Sequence, residues 1–419
     1  MAPAEAREWG TEIMGTSNDK KGGFTMIELS KLWKGMLGVG MVLLLGAATC
    51  VYAQQPIKFG FIPDITGPAS SLGVPERDTA LMLQAEIDAK GGIKGRPVKL
   101  VIFDGESTET KTLLAAKKAI EEERVAALIC CTQSGTSLAI KSAVQTAKVP
   151  MVSMAASVRI VEPVKDSFWV FKTPQSDHLI AEVLADYLVS KKLTRVAWMN
   201  VDNAFGDSGR IEFDKMAKKL GISIGMNERF GDKDVDMTTQ LTKVKGSDAQ
   251  ALVVWAIPPA ASVVTKNAKE LGLQIPLFHS HGVANMRFIE LAGPGANGVR
   301  FPAGKLLIAE GLPDSDAQKK TLIEYAKAFE AKYGPRNTFG GHGWDAIWLA
   351  YKATEAAAAR VNPDDLTAFR AAIRDELEKI KEFVGISGVF NMSPEDHNGL
   401  DKRAVTIYEI VDGKWQPAK

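Results

Sequence analysis

From Ile57 onward, short apolar runs alternate with longer segments in which apolar residues recur every three or four positions. The short runs include 57–62, 98–103, 125–130, 149–154, 195–199, 251–255 and 275–278. They lack the polar alternation of a strand with one wet face, so they read as parallel strands covered on both faces. The longer segments read as amphipathic helices: 75–89 lines up Ala80, Leu83 and Ile87, and 110–123 lines up Leu113, Ala116 and Ile120. Strands alternating with helices predict a doubly wound α/β fold. No low-complexity linker divides the chain, so two lobes imply that the chain crosses between them more than once, through a hinge.

Composition narrows the function by exclusion. Hydrophobic residues make up 46 % and charged residues 24 % of the 419 residues, the balance of a globular protein long enough for two domains. A net charge of +1 gives no basic field to draw the chain to nucleic acid or to an anionic membrane surface. At the N-terminus, Lys31 and Lys34 precede an apolar run at 36–48 and the small-residue pattern Val51-Tyr52-Ala53, the arrangement of a secretory signal peptide. The run is shorter than the roughly 20 apolar residues of a membrane span. The expectation is an exported, soluble, periplasmic chain that begins near Gln54, with 1–53 as leader and Met26 as an alternative start. Cys50 offers lipidation as an alternative, against which Thr49 stands where Gly, Ala or Ser is preferred.

In doubly wound sheets ligands sit beyond the carboxyl ends of strands, where helix N-termini present unpaired amides to anions. Two strand ends here carry suitable residues. The run at 125–130 leads into Thr132-Gln133-Ser134-Gly135-Thr136-Ser137 and a helical pattern, and 149–154 leads into Ala155-Ala156-Ser157. Ser134 and Ser157 either present hydroxyls to a carboxylate or serve as caps and turn residues, and spacing alone does not choose.

Other motifs carry no chemistry. The glycines of 293–298 satisfy G-x-G-x-x-G, but between a helix and a strand, the reverse of a dinucleotide site, so a tight turn is expected. Gly206-Asp207-Ser208-Gly209 resembles a nucleophile loop without partners, and N-capping by Asp207 or Ser208 explains it better. His279 and His281 share a strand face but lack a third metal ligand. Trp344 and Trp348 stand at helical spacing for core packing. Adjacent Cys130 and Cys131 are expected to stay unbridged, as an apolar filler and a strand-end thiol, with a redox or metal role as the alternative. No catalytic residue, cofactor or metal site is expected.

Taken together, Gly60-Phe61-Ile62-Pro63, Gly67-Pro68, Ile87-Asp88-Ala89-Lys90-Gly91-Gly92-Ile93, Ser134-Gly135, Ala155-Ala156-Ser157, Phe205-Gly206-Asp207 and Trp344-Asp345-Ala346 resemble, in order and spacing, the leucine/isoleucine/valine-binding type of periplasmic receptor. The resemblance spans 54–419. It implies the type I periplasmic binding protein fold: two Rossmann-like lobes joined by three hinge crossovers, here 54–175 with 304–404, and 176–303 with 405–419. It further implies a monomer that closes around a small molecule and delivers it to an inner-membrane ABC permease with its ATPase. Position by position, Ser134, Ala155 and Ser157 match the carboxylate-binding set, Phe205 an aromatic wall and Leu72 a side-chain wall.

The sequence departs from amino-acid binders where the ligand ammonium would be paired. His281 stands in place of an acid and Pro258 in place of a tyrosine, and an unpaired buried ammonium is costly by several kcal/mol. With its His-Gly-Val turn and Phe-Gly-Gly-His segment, the chain is similar to receptors for aromatic acids. The expected ligand is therefore an aromatic or hydrophobic carboxylate, with His281 and His342 hydrogen-bonding it and Phe205 and Trp255 stacking on its ring. The alternatives are a branched-chain amino acid, should Glu106 or Asp202 reach the cleft, and a separate class, an exported ligand sensor.

Overall fold

The computed structural model describes residues 54–419; the expected leader, its cleavage pattern and Cys50 lie outside them. A first sheet holds β1 (Ile57–Ile62), β2 (Val98–Ile102), β3 (Ala127–Cys130), β4 (Met151–Ser153) and β5 (Val170–Lys172), all parallel in the order β2-β1-β3-β4-β5. Helices α1 (Ser70–Ala89), α2 (Glu109–Glu121) and α3 (Ser134–Ala147) connect its first four strands. In β3, Ala127 and Ile129 join one core with Phe59 and Phe61, whereas Leu128 and Cys130 join another with Ile140 and Val144 of α3. Successive side chains face opposite layers, which is why these strands carry no polar alternation.

The second sheet repeats the winding. Strands β6 (Arg195–Val201), β7 (Ser223–Phe230), β8 (Ala251–Trp255), β9 (Leu277–His279) and β10 (Arg300–Ala303) run in the order β7-β6-β8-β9-β10. Around them lie α4 (Asp177–Ser190), α5 (Ala204–Leu220), α6 (Thr238–Lys245), α7 (Ala260–Glu270) and α8 (Met286–Ala292). After β10 the chain returns to the first sheet through α9 (Lys319–Tyr333), α10 (Thr338–Ala358) and α11 (Leu366–Glu378). Ile347 and Leu349 of α10 and Phe369 of α11 pack with Phe59 and Phe61. A short pair, β11 (Phe383–Val384) and β12 (Val389–Phe390), precedes β13 (Thr406–Val411) and β14 (Lys414–Pro417), an antiparallel hairpin that extends the second sheet beyond β10. The chain thus passes between the two sheets three times: after β5, after β10 and before β13.

Several local expectations need correction. Helix α1 starts at Ser70, with Pro75 inside it rather than at its start. Neither Asp207 nor Ser208 caps α5; Asn203 does, its side-chain oxygen accepting from the Phe205 and Gly206 amides at 3.0 and 3.1 Å, because a cap must precede the amides it serves. Cys130 and Cys131 are joined in a disulfide across a cis peptide bond that draws their Cα atoms to 3.1 Å. As expected, Gly293–Ala296 forms a tight turn between α8 and β10. No helix among the described residues is long and apolar enough to cross a membrane.

Candidate functional site

Both sheets reverse their winding beside the first strand, between β1 and β3 in one and between β6 and β8 in the other, and such reversals leave a crevice at the carboxyl ends of the strands. The two crevices share a cavity of about 330 Å³. Its walls include 132–136 after β3, 154–156 after β4, Pro174 after β5, 202–205 after β6, Ile257 after β8 and His281 after β9, together with Leu72 of α1 and Phe339 and His342 of α10.

Ser134 is the first residue of α3, and no side chain caps the amides of that turn, which leaves an anion-favouring end in the wall. Ser134 Oγ accepts from the Ser157 amide at 3.2 Å, so its single hydrogen remains to be donated. Ala155 lines the cavity, but its amide donates to Ser153 Oγ at 3.1 Å; it supplies wall rather than a donor. Ser157 is not part of the lining. Its hydroxyl lies 2.7 Å from Ser208 Oγ on α5 and caps the short turn after it, so it serves the cradle only by holding Ser134.

From the second sheet, the Asn203 cap sets the start of α5 and so the place of Phe205, whose ring meets His281 edge-on at 5.7 Å and Trp255 at 5.9 Å. Trp255 is fully buried and does not line the cavity. Its indole lies flat on α5, where a Cβ at Gly209 would sit 2.2 Å from Cε2, and it backs Phe205 instead of stacking on a ligand.

The histidines divide. His279 bonds Thr265 Oγ1 at 2.8 Å and packs on Phe288, away from the cavity, so His279 and His281 do not converge on a metal. No cluster of three or more His, Cys, Asp or Glu able to hold a metal is found among the described residues. His281 lines the cavity with Nδ1 buried and unpartnered. Burial first, and the nearby Lys172 charge second, push its pKa down to about 3, so it faces a ligand as neutral imidazole. His342 Nδ1 lies 2.7 Å from Ser387 Oγ, and burial likewise pushes it well below its ordinary value.

Phe339, Met154 and Ile257 join the wall beside the candidates legible in the sequence. Phe339 meets His342 at 5.8 Å, and their i, i+3 spacing within the Phe-Gly-Gly-His segment was the signal available for it. Met154 and Ile257 add apolar wall, with no periodic signal to mark them. Behind the wall, Thr132 Oγ1 accepts from the Asp64 amide at 2.8 Å and donates to Glu76 Oε2 at 2.5 Å. Burial raises the pKa of Asp64 to about 6 and that of Glu76 well above the usual carboxylate range. Three carboxylates, Glu109, Asp202 and Asp232, line the cavity, all on exposed residues, and Asp202 is paired with Arg229. Glu106 is not in the lining, and neither Lys nor Arg is.

A family model described as periplasmic binding protein matches residues 56–414. The chain is 24 % identical over 388 residues to a Leu/Ile/Val-binding protein homolog from Brucella melitensis, covering 91 % of this chain and 98 % of that one. Among solved structures, an extracellular ligand-binding receptor from Rhodopseudomonas palustris HaA2 superposes with a TM-score of 0.82 at 30 % identity, covering 87 % of this chain and all of that one. A branched-chain amino acid transporter substrate-binding protein from Streptococcus pneumoniae, in complex with isoleucine, superposes at 0.74 with 23 % identity and 87 % and 99 % coverage, a likeness of fold.

Proposed function

The chain belongs to the periplasmic binding protein family, and from that premise we propose that it is the exported solute-binding subunit of an ABC importer that closes around a small aromatic or hydrophobic organic acid. The reading rests on one observation above all: the buried part of the lining offers a neutral His281 with Nδ1 unpartnered and no buried acid, so an ammonium there would lack a compensating negative charge. A carboxylate, by contrast, has the uncapped start of α3 and the Ser134 hydroxyl, and an apolar body has Leu72, Met154, Phe205 and Phe339. His281 and His342 would bond a ring substituent or a second carboxylate. The lobes would be 54–175 with 304–404, and 176–303 with 405–419, acting as a monomer that presents its closed form to an inner-membrane permease and its ATPase.

A second reading is a branched-chain amino acid. Its relatives named as Leu/Ile/Val-binding and branched-chain amino acid transporter proteins favour it, as do the acids Glu109, Asp202 and Asp232 in the lining. A thermal-shift panel of aliphatic amino acids, benzoates, cinnamates and short fatty acids, followed by calorimetry of the hits, separates the two. Micromolar leucine binding with no response to the acids would overturn the first reading.

A further inference from the structure

His342 and Asp345 stand three apart on α10, so their side chains fall on one face of the helix, and both are buried. Against them lies the turn 385–387 between β11 and β12. Asp345 Oδ1 accepts from the Ile386 amide at 2.6 Å and Oδ2 from the Ser387 amide at 2.7 Å. Gln318, just before α9, donates to the Gly385 and Ile386 carbonyls at 2.9 and 3.2 Å, and Gln175 donates to that of Ser387. Glycine is needed at 385, where a Cβ would collide with Asp345 Oδ1.

The turn so held fixes the Ser387 hydroxyl between two groups. It lies 2.7 Å from His342 Nδ1 and also bonds the Asp345 carboxylate. A carboxylate only accepts, and a hydroxyl has a single hydrogen to give. That hydrogen goes to Asp345, so the Ser387 oxygen accepts from Nδ1–H of His342. Burial keeps His342 neutral, and a neutral imidazole carries one N–H. Nε2 is therefore left as a bare lone pair on a residue that lines the cavity, while Ser387 lies outside the lining. Burial raises the Asp345 pKa to about 7, opposed by the hydrogen bonds from the Ser387 hydroxyl and from the Ile386 and Ser387 amides, so the ionised form that orders this chain of bonds prevails above pH 7.

We propose that Asp345 and Ser387 are positioning residues that set His342 as a hydrogen-bond acceptor, and that the ligand carries, besides its carboxylate, a hydroxyl that donates to His342 Nε2. On the carboxylate reading given above, on which this rests, the ligand is a hydroxyaryl monocarboxylate. A second carboxylate would set its lone pairs against that of Nε2. A phenolic hydroxyl suits both the acceptor and the Phe205 and Phe339 walls.

Titration calorimetry at pH 8 compares benzoate and cinnamate with their meta- and para-hydroxy and methoxy derivatives and with terephthalate. The methyl ether keeps the oxygen and removes the hydrogen; the parent acid adds no bulk. The best-placed hydroxy acid should bind about three- to tenfold tighter than both its parent and its ether, the worth of one ordinary hydrogen bond, and terephthalate should bind more weakly than that hydroxy acid. Nitrogen-15 NMR of the empty protein at pH 8 reads the tautomer, with His342→Gln assigning the signals, and Nδ1 should be the protonated nitrogen. Ser387→Ala should lose that preference and bring the hydroxy-to-ether affinity ratio to within about twofold. A merely structural role would lower all affinities together and leave the ratio standing. Hydroxy acids that bind no tighter than parent and ether, terephthalate binding tighter than any of them, or an Nε2-protonated His342 overturns this inference alone. If none of the acids binds, the carboxylate reading falls and takes the inference with it. The wild-type tautomer and ligand panel decide the matter even if Ser387→Ala does not fold.

Discussion

Removing the Ser134 hydroxyl perturbs two hydrogen bonds at once, and the structure separates their consequences. Ser134 Oγ accepts from the buried Ser157 amide and keeps one hydrogen for the cavity. A hydrogen bond to a charged carboxylate is worth about 1.5–3 kcal/mol. At about 1.4 kcal/mol per decade, Ser134→Ala should weaken acid binding roughly ten- to a hundredfold. The same change strands the Ser157 amide, whose desolvation penalty of about 1–3 kcal/mol should appear as lost stability of the empty protein. Ser157→Ala separates the two effects. It removes the contact between Ser157 and Ser208 across the two sheets and leaves the Ser134 donor in place. That variant should lose about 1 kcal/mol of stability, the worth of an ordinary hydrogen bond, with affinity within about threefold of wild type. Calorimetry gives the affinities and urea unfolding the stabilities. Ser134→Ala binding as wild type would reduce Ser134 to a support for the Ser157 loop. Equal affinity losses in the two variants would show that Ser157 also reaches the ligand.

Three further outcomes follow from the packing and charge around the cavity. Gly209→Ala drives a Cβ to 2.2 Å from the Trp255 indole; overpacking of this kind amounts to about 1–3 kcal/mol, and acid affinity should fall with it because the indole backs Phe205 and His281. An unchanged urea midpoint would contradict that packing. Glu76 is a carboxyl whose folded pKa is raised by burial, so the stability it contributes is full below its unfolded value and declines as pH rises. Glu76→Gln should therefore gain stability on wild type between pH 5 and 8, and a pH-independent difference in midpoint would refute the assignment. His281→Glu puts a like charge beside the ligand carboxylate and should weaken acid binding about tenfold or more, measured by calorimetry; acid binding as tight as wild type would remove His281 from the ligand's surroundings.

Much of the fold could be read directly from the chain, because a strand buried on both faces shows locally as an unbroken apolar run. The run at 251–255 became β8, with Leu252 and Val254 on one core and Val253 and Trp255 on the other. The strand-end position of Ser134, beside a helix start, was equally visible, since a ligand-bearing βα turn is a local pattern. The roles of Ser157 and Trp255 were not visible: the one depends on Ser208, on a helix of the opposite sheet, and the other on Gly209 of the same helix, which packs on Trp255 from a distant part of the chain. Nor could a sequence pattern show that Lys172 would be buried without a bonded carboxylate. Apolar periodicity records how each segment meets its own layer. Which polar groups share the cleft depends on where three passages between the sheets bring distant segments together, and no single segment carries that information.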